Sequence, residues 1–381
     1  MARFDHDQLA RLTLRRQFPT PPGRPDLGGL RELFRRLGPI QSQVPRAPFL
    51  AAAARLPGIE YHTVCAALES YQLVKTSNLR GTVHTSVADR FTALDAVARI
   101  ARGPMITKTL GLSRVTAEQL TAEIEAFCTD QWRPREEICA HVEAWLGARE
   151  PGFRGLSDSS QKGLVWGHSG LLRRPRDAAW EKRTDSYHRA AAAVVDVADR
   201  PDPDAALAEL VAGHCAAYGP VERKDLAFFF GVGLTRIDAA VAALGDRLTR
   251  HTGPDRQPLI DLARPPRGGR ADPGTRLLGE FDGLLLGFHG PNRTRFCTER
   301  QLGAIWRKAN GQFAPVVLHD QRLVATWRTI ARGRRTTIEI TMLPGVRPLP
   351  EDTFAASVAD VALVLDLDVD DVRVLPDADR S

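Results

Sequence analysis

The sequence lacks the short motifs that identify most large enzyme classes. It contains no phosphate-binding P-loop, no dinucleotide-binding fingerprint, no H-E-x-x-H pair, no G-x-S-x-G elbow and no EF-hand loop. These absences argue against P-loop nucleotide hydrolysis, dinucleotide-dependent redox chemistry, zinc-dependent proteolysis and the usual serine hydrolases. Any catalytic group must therefore be sought outside these patterns.

Cysteine is scarce and shows no metal-binding spacing. The five cysteines are Cys65, Cys128, Cys139, Cys215 and Cys297. They are widely separated, odd in number and form no C-x-x-C pair, which argues against a zinc site and a disulfide framework. The ten histidines also lack ligand spacing, and the acidic run 366–371 fits a solvated edge strand better than a calcium loop. We expect buried, unpaired cysteines, no metal and no cofactor.

Long hydrophobic runs are absent as well. The apolar runs, such as residues 191–195 and 228–232, are far shorter than a membrane span. Residues 1–16 carry charges throughout and have no signal-peptide core. We therefore expect a cytoplasmic protein without a membrane partner.

Lysine is rare, although the chain is basic. Of 52 basic residues 46 are arginine, and the net charge is +6. Arginine-rich patches occur at residues 31–36, 173–183, 264–276 and 328–335. Such patches on a basic protein are typical of binding to a polyanion such as nucleic acid. The alternative is that the arginine and alanine content reflects only a GC-rich genome.

Periodicity divides most of the chain into three similar units. The first has predicted helices at 27–37, 48–56 and 60–71, then β-like runs at 72–76 and 82–87. The second has a helix at 116–128, a proline-initiated helix at Arg133-Pro134, a helix at 156–171 and an arginine-rich hairpin at 172–183. The third has a helix at 203–218, a helix start at Gly219-Pro220-Val221, a helix at 234–244 and a hairpin to about residue 262. Three helices followed by a hairpin is the winged-helix plan.

The last part of the chain has a different character. After the Pro-, Gly- and Arg-rich loop 263–274, β-like runs occur at 284–288, 316–318, 323–327, 336–342 and 361–367. The predicted fold class is therefore α+β, with three tandem winged-helix modules followed by a β-barrel-like C-terminal domain. The predicted boundaries are 1–112, 113–200, 201–264 and 265–381.

One uncharged polar pair stands out between two prolines. In Pro39-Ile40-Gln41-Ser42-Gln43-Val44-Pro45, an extended backbone would place Gln41 and Gln43 on one face and Ser42 on the other. Two carboxamides side by side can hold a water molecule and a sugar oxygen without carrying charge. The alternative is that they only tie down a loop between helices.

Four stretches together resemble the winged-helix DNA glycosylases of the AlkZ/YcaQ type. They are residues 37–43 (LGPIQSQ), 79–84 (LRGTVH), 277–287 (LLGEFDGLLLG) and 310–315 (NGQFAP) with its continuation at 326–328 (TWR). The resemblance covers nearly the whole chain in the right order. It implies three tandem winged helices, a C-terminal β-barrel and a catalytic Gln-hydrophobic-Gln element. That element falls on Gln41 and Gln43 and places the chain closer to the AlkZ branch, while Ser42 departs from the apolar middle residue.

The resemblance also implies an activity. The chain is expected to be a monofunctional DNA glycosylase that releases cationic alkylated purines, such as N7-alkylguanine, from double-stranded DNA. Bulky adducts and interstrand crosslinks are a further expectation, in DNA repair or in self-resistance to a DNA-alkylating natural product. We expect a nucleoid-associated monomer. The alternatives are a DNA-binding regulator without catalysis and a structural or interaction protein.

Five residues are candidates for contacts with DNA. Arg80 and His84 belong to the first predicted wing, and His289, Arg293 and Arg295 belong to the turn that follows residues 284–288. The arginines would bind phosphates. The two histidines are more typical of surface or hydrogen-bonded side chains than of catalytic groups.

Overall fold

The computed structural model describes residues 2–19, 22–184, 187–196, 199–266, 268–269, 272–307 and 311–377. Asn310, which opens the fourth matching stretch, and parts of the loop 263–274 lie outside the described residues. Helices and strands are mixed along the chain, as the sequence predicts.

The first predicted module has three helices followed by a hairpin, preceded by a helix that was not predicted. Its elements are α1 (His6–Gln17), α2 (Leu27–Leu37), β1 (Ile40–Gln41), α3 (Ala47–Arg55), α4 (Tyr61–Glu69), β2 (Leu73–Ser77), β3 (Val83–Val87) and α5 (Phe91–Leu110). Helix α2 has the predicted bounds because its apolar residues recur with helical spacing and Asp26 caps it, accepting the Gly29 N–H at 2.8 Å.

The second predicted module departs further from expectation. Its elements are α6 (Ala117–Phe127), β4 (Arg133–Pro134), α7 (Arg135–Gly147), α8 (Asp158–Gln161), β5 (Leu171–Arg174) and β6 (Tyr187–Ala190). Thr116 caps α6, as predicted, in a capping box with Gln119. The predicted helix 156–171 is confirmed only in part, because the helical segment is shorter and consists of α8 followed directly by a π-helical turn, Lys162–Trp166. The hairpin is also wider than predicted, since its second strand begins at Tyr187.

The third predicted module follows the sequence closely. Its elements are α9 (Pro203–Tyr218), α10 (Arg223–Phe230), α11 (Leu234–Leu244), β7 (Leu248–Thr252) and β8 (Pro258–Leu262). Both α9 and α11 have the predicted bounds. No single described helix is long and apolar enough to cross a membrane. The helical segments Arg223–Phe230 and Leu234–Arg247, which form a bent pair, have that length and composition only when they are taken together.

The C-terminal part contains more helix than predicted. Its elements are β9 (Arg276–Leu278), α12 (Gly283–Leu286), α13 (Glu299–Ile305), β10 (Trp306–Arg307), β11 (Gln312–Phe313), β12 (Val316–His319), β13 (Arg322–Arg332), β14 (Arg335–Met342), α14 (Ala355–Leu365) and β15 (Asp368–Leu375). The strand predictions for 284–288 and 361–367 are wrong, because α12 and α14 occupy them. Short apolar runs do not distinguish a buried strand from a buried helix.

The predicted barrel is also corrected. The main C-terminal sheet has the order β15-β14-β13-β12-β9, and within the described residues its two outer strands do not pair with each other. The sheet is therefore open. Its acidic strand β15 lies at an edge and pairs with β14 in parallel, in agreement with the solvated edge strand predicted for the run 366–371.

Two of the predicted modules share one sheet. Its order is β1-β3-β2-β5-β6-β4, and Thr76 of β2 pairs with Leu172 of β5. The helices of the first module share a hydrophobic core with the C-terminal sheet and α14. The glutamine segment therefore lies where several parts of the chain meet. The four domain boundaries stay predictions.

Candidate active site

Between α2 and the glutamine segment, Gly38 adopts a backbone conformation that only a residue without a side chain adopts easily. Gly38 has φ 75° and ψ −160° and donates its N–H to Phe34. The chain then enters β1, where Ile40 lies opposite Thr85 and Gln41 lies opposite His84. The register with β3 therefore sets the position of Gln41. The strand ends there, and Gln43 lies in the bend that follows.

Ser42, the departure from the family's pattern, is fully hydrogen-bonded in the interior. Its exposed fraction is 2%, and its N–H donates to the Val83 carbonyl at 2.7 Å. Its hydroxyl lies 3.0 Å from the Ile40 carbonyl and 2.8 Å from the Thr85 hydroxyl. The side chain is thus buried, and Thr85 satisfies a hydroxyl at a position where the family has an apolar residue.

The Gln41 carboxamide is buried and held by a cation. Its residue is 9% exposed, and its Oε1 accepts a hydrogen bond of 2.8 Å from Nη2 of Arg80. A guanidinium can only donate, so the amide oxygen must be the atom that faces Arg80. The amide nitrogen of Gln41 donates to no described residue. This side chain therefore offers a free N–H donor whose direction is set by Arg80.

Arg80 lies in the turn between β2 and β3 but folds inward. It adopts a left-handed backbone, with φ 57° and ψ 14°. Its Nη1 donates to the Phe229 carbonyl, and its guanidinium lies 5.5 Å from the ring centroid of Phe228 and 5.6 Å from that of Phe229. Burial lowers the pKa of Arg80 to about 10, with a smaller contribution from the nearby charge of Arg293. It stays charged at neutral pH.

A narrow cavity of about 20 Å³ lies behind Gln41. This chamber, as we call it, is lined among others by Gln41, Arg55, Arg80 and His84, and has room for about one water molecule. His84 is 1% exposed. Its Nδ1 lies 2.9 Å from the Thr82 carbonyl, so Nδ1 carries the proton. Its Nε2 has no partner among the described residues.

The surroundings of His84 keep its ring neutral. Burial, together with the smaller effect of the positive charge of Arg80, lowers the pKa of His84 to about 3. A ring with that pKa cannot donate a proton to a leaving group at neutral pH. Its burial also contradicts the expectation that His84 contacts DNA in this conformation.

A buried ion pair forms another wall of the chamber. Arg55 and Asp282 make two hydrogen bonds, of 2.8 and 2.9 Å, and both side chains are 1% exposed. Asp282 comes from the third matching stretch of the chain, more than two hundred residues away from Arg55. The pair therefore ties the C-terminal part to helix α3 directly behind the glutamine segment.

Gln43 has the opposite surroundings. It is exposed and lines an open cavity of about 750 Å³, which we call the cleft. Its Oε1 accepts the Val83 N–H at 3.4 Å, a long bond. Its backbone carbonyl accepts a hydrogen bond of 3.0 Å from Nη2 of Arg183. The second module thus reaches over to the glutamine segment through this arginine.

The cleft is lined by arginines and by two exposed apolar side chains. The arginines are Arg80, Arg102, Arg173, Arg176 and Arg183. Arg176 and Arg183 are exposed, whereas Arg102 and Arg173 are 8% and 5% exposed. Trp166 and Met105 also line the cleft and are 42% and 49% exposed. The described lining contains no carboxylate, histidine or lysine.

The other three predicted DNA contacts lie away from the cleft. Arg293 and Arg295 are each 2% exposed. Nε of Arg293 donates to the Leu285 and Phe288 carbonyls, and Nη1 of Arg295 donates to Thr13. Both arginines donate hydrogen bonds to buried groups of the protein, which contradicts their assignment as phosphate contacts. His289 is partly buried and donates its backbone N–H to Asp225 at 2.7 Å.

Sequence reasoning found the basic patch 173–183 but assigned none of its members to the site. Arg176 and Arg183 belong to that patch, so the signal was present. Arg102 and Trp166 carried no such signal. Arg102 lies on α5, which periodicity did not predict, and Trp166 ends the π-helical turn inside the predicted helix 156–171.

The cysteines and possible metal ligands do not enter the site. All five cysteines are buried and unpaired, as expected, and burial raises the pKa of each thiol, for example that of Cys65 to about 11. Among the described residues, no three His, Cys, Asp or Glu side chains are grouped closely enough to hold a metal ion.

Comparison with known proteins assigns the family. The sequence matches the family described as DNA glycosylase AlkZ-like over residues 34–364. The Interstrand DNA cross-link repair glycosylase of Streptomyces sahachiroi is 25% identical over 363 residues, which cover 92% of this chain and 93% of that protein. The structure of Streptomyces sahachiroi DNA glycosylase AlkZ has the same fold, with a TM-score of 0.78 at 21% identity over 98% of this chain and 100% of that one. The chain therefore belongs to the AlkZ-like DNA glycosylase family.

Proposed function

We propose that this protein hydrolyses the N-glycosidic bond of alkylated purines that already carry a positive charge, above all N7-alkylguanine in double-stranded DNA. The observation that carries the proposal is the position of Gln43. It presents an uncharged amide to a large arginine-lined cleft, two residues from a second amide held by Arg80.

The composition of the cleft suits a leaving group that needs no acid. When the bond between C1′ and N9 of an N7-alkylguanine breaks, its electron pair neutralises the cationic base. The sugar becomes oxocarbenium-like, a water oxygen then forms a bond to C1′, and the water proton passes to solvent. No protein group has to protonate the base, which agrees with the absence of carboxylates and histidines from the described lining. The same lining has no lysine to form a Schiff base, so we propose a monofunctional hydrolase.

The two glutamines have different proposed tasks. Gln43 faces the cleft, where its amide can orient the attacking water beside the sugar. Gln41 supplies a fixed N–H donor from the chamber side. Preorganised dipoles of this kind stabilise the transition state because they need not reorient during the reaction.

The size of the cleft supports bulky substrates. Cavities of about 300–1,000 Å³ hold drug-sized ligands, and the cleft measures about 750 Å³. A relative at 25% identity is named for the repair of interstrand DNA crosslinks. We therefore propose that bulky adducts and N7-guanine crosslinks are substrates, in DNA repair or in self-resistance to a DNA-alkylating natural product.

DNA contacts are reassigned to the cleft. The exposed Arg176 and Arg183 take the place of the buried Arg293 and Arg295 as proposed phosphate contacts. We propose that the protein acts as a monomer on DNA in the cytoplasm, associated with the nucleoid. No observation favours the non-catalytic regulator.

Base release from defined duplexes tests the proposal. The purified protein should release N7-methylguanine and leave hypoxanthine and uracil in place, because those neutral bases need an acid to depart. Hypoxanthine released at a similar rate would mean that a general acid has been overlooked. Tight binding of alkylated DNA without any release would support the regulator instead.

A further inference from the structure

We infer that Arg80 is a positioning residue, which orients the Gln41 carboxamide rather than binding a phosphate. The inference rests on the proposed function of Gln41. Its main evidence is the 2.8 Å hydrogen bond from Nη2 of Arg80 to Oε1 of Gln41, made between a partly buried cation and a buried amide.

Two hydrogen bonds and two aromatic rings anchor Arg80. One guanidinium nitrogen donates to the Phe229 carbonyl and the other to Gln41. The rings of Phe228 and Phe229 both lie within 6 Å of the guanidinium carbon. Phe228 and Phe229 both belong to α10, which lies in the third predicted module, whereas Gln41 lies in the first.

The backbone of the turn is packed just as closely. A Cβ added to Gly231, which has φ 68°, would lie 3.0 Å from Cγ and 3.3 Å from Cα of Arg80. The glycine after α10 therefore lets the chain approach Arg80 directly. Swinging the guanidinium out to a phosphate would break two hydrogen bonds and both ring contacts.

The consequence for Gln41 follows from the amide itself. The terminal torsion of a glutamine is broad and roughly two-fold, so a free carboxamide presents either its oxygen or its nitrogen. A guanidinium has no acceptor and selects the oxygen. With Arg80 in place, the remaining atom is the N–H donor; without it, Gln41 would present both atoms in turn.

Arg80→Lys separates the two roles. Lysine keeps the positive charge that a phosphate requires but cannot span Phe229 and Gln41 with two nitrogens. We expect Arg80→Lys and Arg80→Met each to slow single-turnover release of N7-methylguanine by about 10²-fold, the scale of a misplaced catalytic group. The DNA dissociation constant of Arg80→Lys should stay within about twofold of wild type. Arg31→Met is the control, since it removes an exposed arginine of α2 that lines neither the cleft nor the chamber.

A double substitution tests whether Arg80 acts through Gln41. Adding Arg80→Met to Gln41→Ala should cause no further loss of rate, because residues that act as one unit are not additive. Multiplying losses would overturn the inference. So would an Arg80→Lys variant with the wild-type rate, or an Arg80→Met variant that keeps its rate at saturating enzyme but loses about one unit of salt slope, the signature of a phosphate contact.

A spectroscopic measurement decides the matter independently of activity. In protein labelled with ¹⁵N-glutamine, the Gln41 amide signals are identified by their loss in Gln41→Ala. They should shift in Arg80→Lys and Arg80→Met and remain in place in Arg31→Met. Unshifted signals in folded Arg80 variants would overturn the inference, whereas absence of base release by the wild type would count against the proposed function alone.

Discussion

The chamber behind Gln41 and the cleft in front of Gln43 are two regions of opposite construction, although the two glutamines are two residues apart. The chamber has room for about one water and is walled by side chains that bond one another across the chain, such as Arg55 with Asp282. The cleft is about 750 Å³ in volume and open, and its outer arginines are exposed. The difference teaches that one amide is held in orientation while the other is accessible.

From this contrast we expect the chamber to affect stability and catalytic rate, and the cleft to affect DNA affinity. Residues of the chamber have few alternative partners, so their loss should cost folding free energy or reaction rate. Exposed residues of the cleft can be removed at little cost to the fold, and their loss should appear in DNA binding. Five substitutions or conditions test this separation.

The largest effect is expected in the chamber. Arg55→Met leaves Asp282 as a buried, unpaired carboxylate, which costs about 3–5 kcal/mol. The free energy of unfolding in urea should fall by that amount. Arg176→Met, an exposed cleft arginine, should stay within about 0.5 kcal/mol of wild type. Equal losses in both variants would abolish the distinction between the two regions.

The glutamines should govern rate without governing stability. Gln41→Ala and Gln43→Ala should each slow single-turnover base release by about 10²–10³-fold, the cost of losing one preorganised donor. DNA affinity should barely change, because neither side chain is charged. The double variant should lose less than the product of the single losses. Circular dichroism verifies folding, and wild-type rates in a folded double variant would refute the site.

Gln43→Asp sharpens the same comparison. It introduces the aspartate of the YcaQ-like branch at the accessible position only. Some activity should remain, with a changed preference among lesions. Release rates on a panel of N3- and N7-alkylated purines measure that preference, and an unchanged ranking would show that position 43 does not select the lesion.

Lowering the pH should reduce the stability of the protein through His84, which lines the chamber. The pKa of His84 is about 3 in the folded protein, below its ordinary value of 6.5, so the unfolded chain binds a proton that the folded chain does not. Stability should therefore fall by roughly 1.4 kcal/mol per pH unit from about pH 6.5 downward, or about 2 kcal/mol at pH 5. The loss is complete near the folded pKa.

The measurement compares unfolding free energies of wild type and His84→Gln between pH 7 and 5. His168 and His214 are buried with similarly lowered pKa values, so the difference between the two proteins isolates His84. Identical pH slopes would show that His84 ionises in the folded state. Base release between pH 6 and 8 should be independent of this ring.

The smallest effect is expected from the outer arginines. Arg176→Met combined with Arg183→Met should reduce the slope of log affinity against log salt by about 2, since each lost phosphate contact removes roughly 0.9. The control is Arg31→Met, an exposed arginine of α2 that lies outside the cleft lining. Equal slopes for both proteins would place the DNA surface elsewhere.

Local features were predictable where the signal lies within one element. Thr116 capped its helix as expected, and α2, α9 and α11 had the predicted bounds, because periodicity and caps act over a few residues. The predicted strand at 361–367 failed for the opposite reason. Its apolar run can be buried equally well as a helix or a strand. It forms the helix α14, which packs against α3 and the C-terminal sheet.

The sequence by itself determined the mixed fold, the glutamine pair and the basic patch 173–183. Only the tertiary structure decided which arginines face solvent. Arg80 turns inward because Phe229, about 150 residues later, supplies a carbonyl and a ring, whereas Arg183 reaches Gln43 across 140 residues. Charge and residue type are local properties of the chain. Burial is a property of contacts between distant segments, and burial is what separates a phosphate contact from a positioning residue.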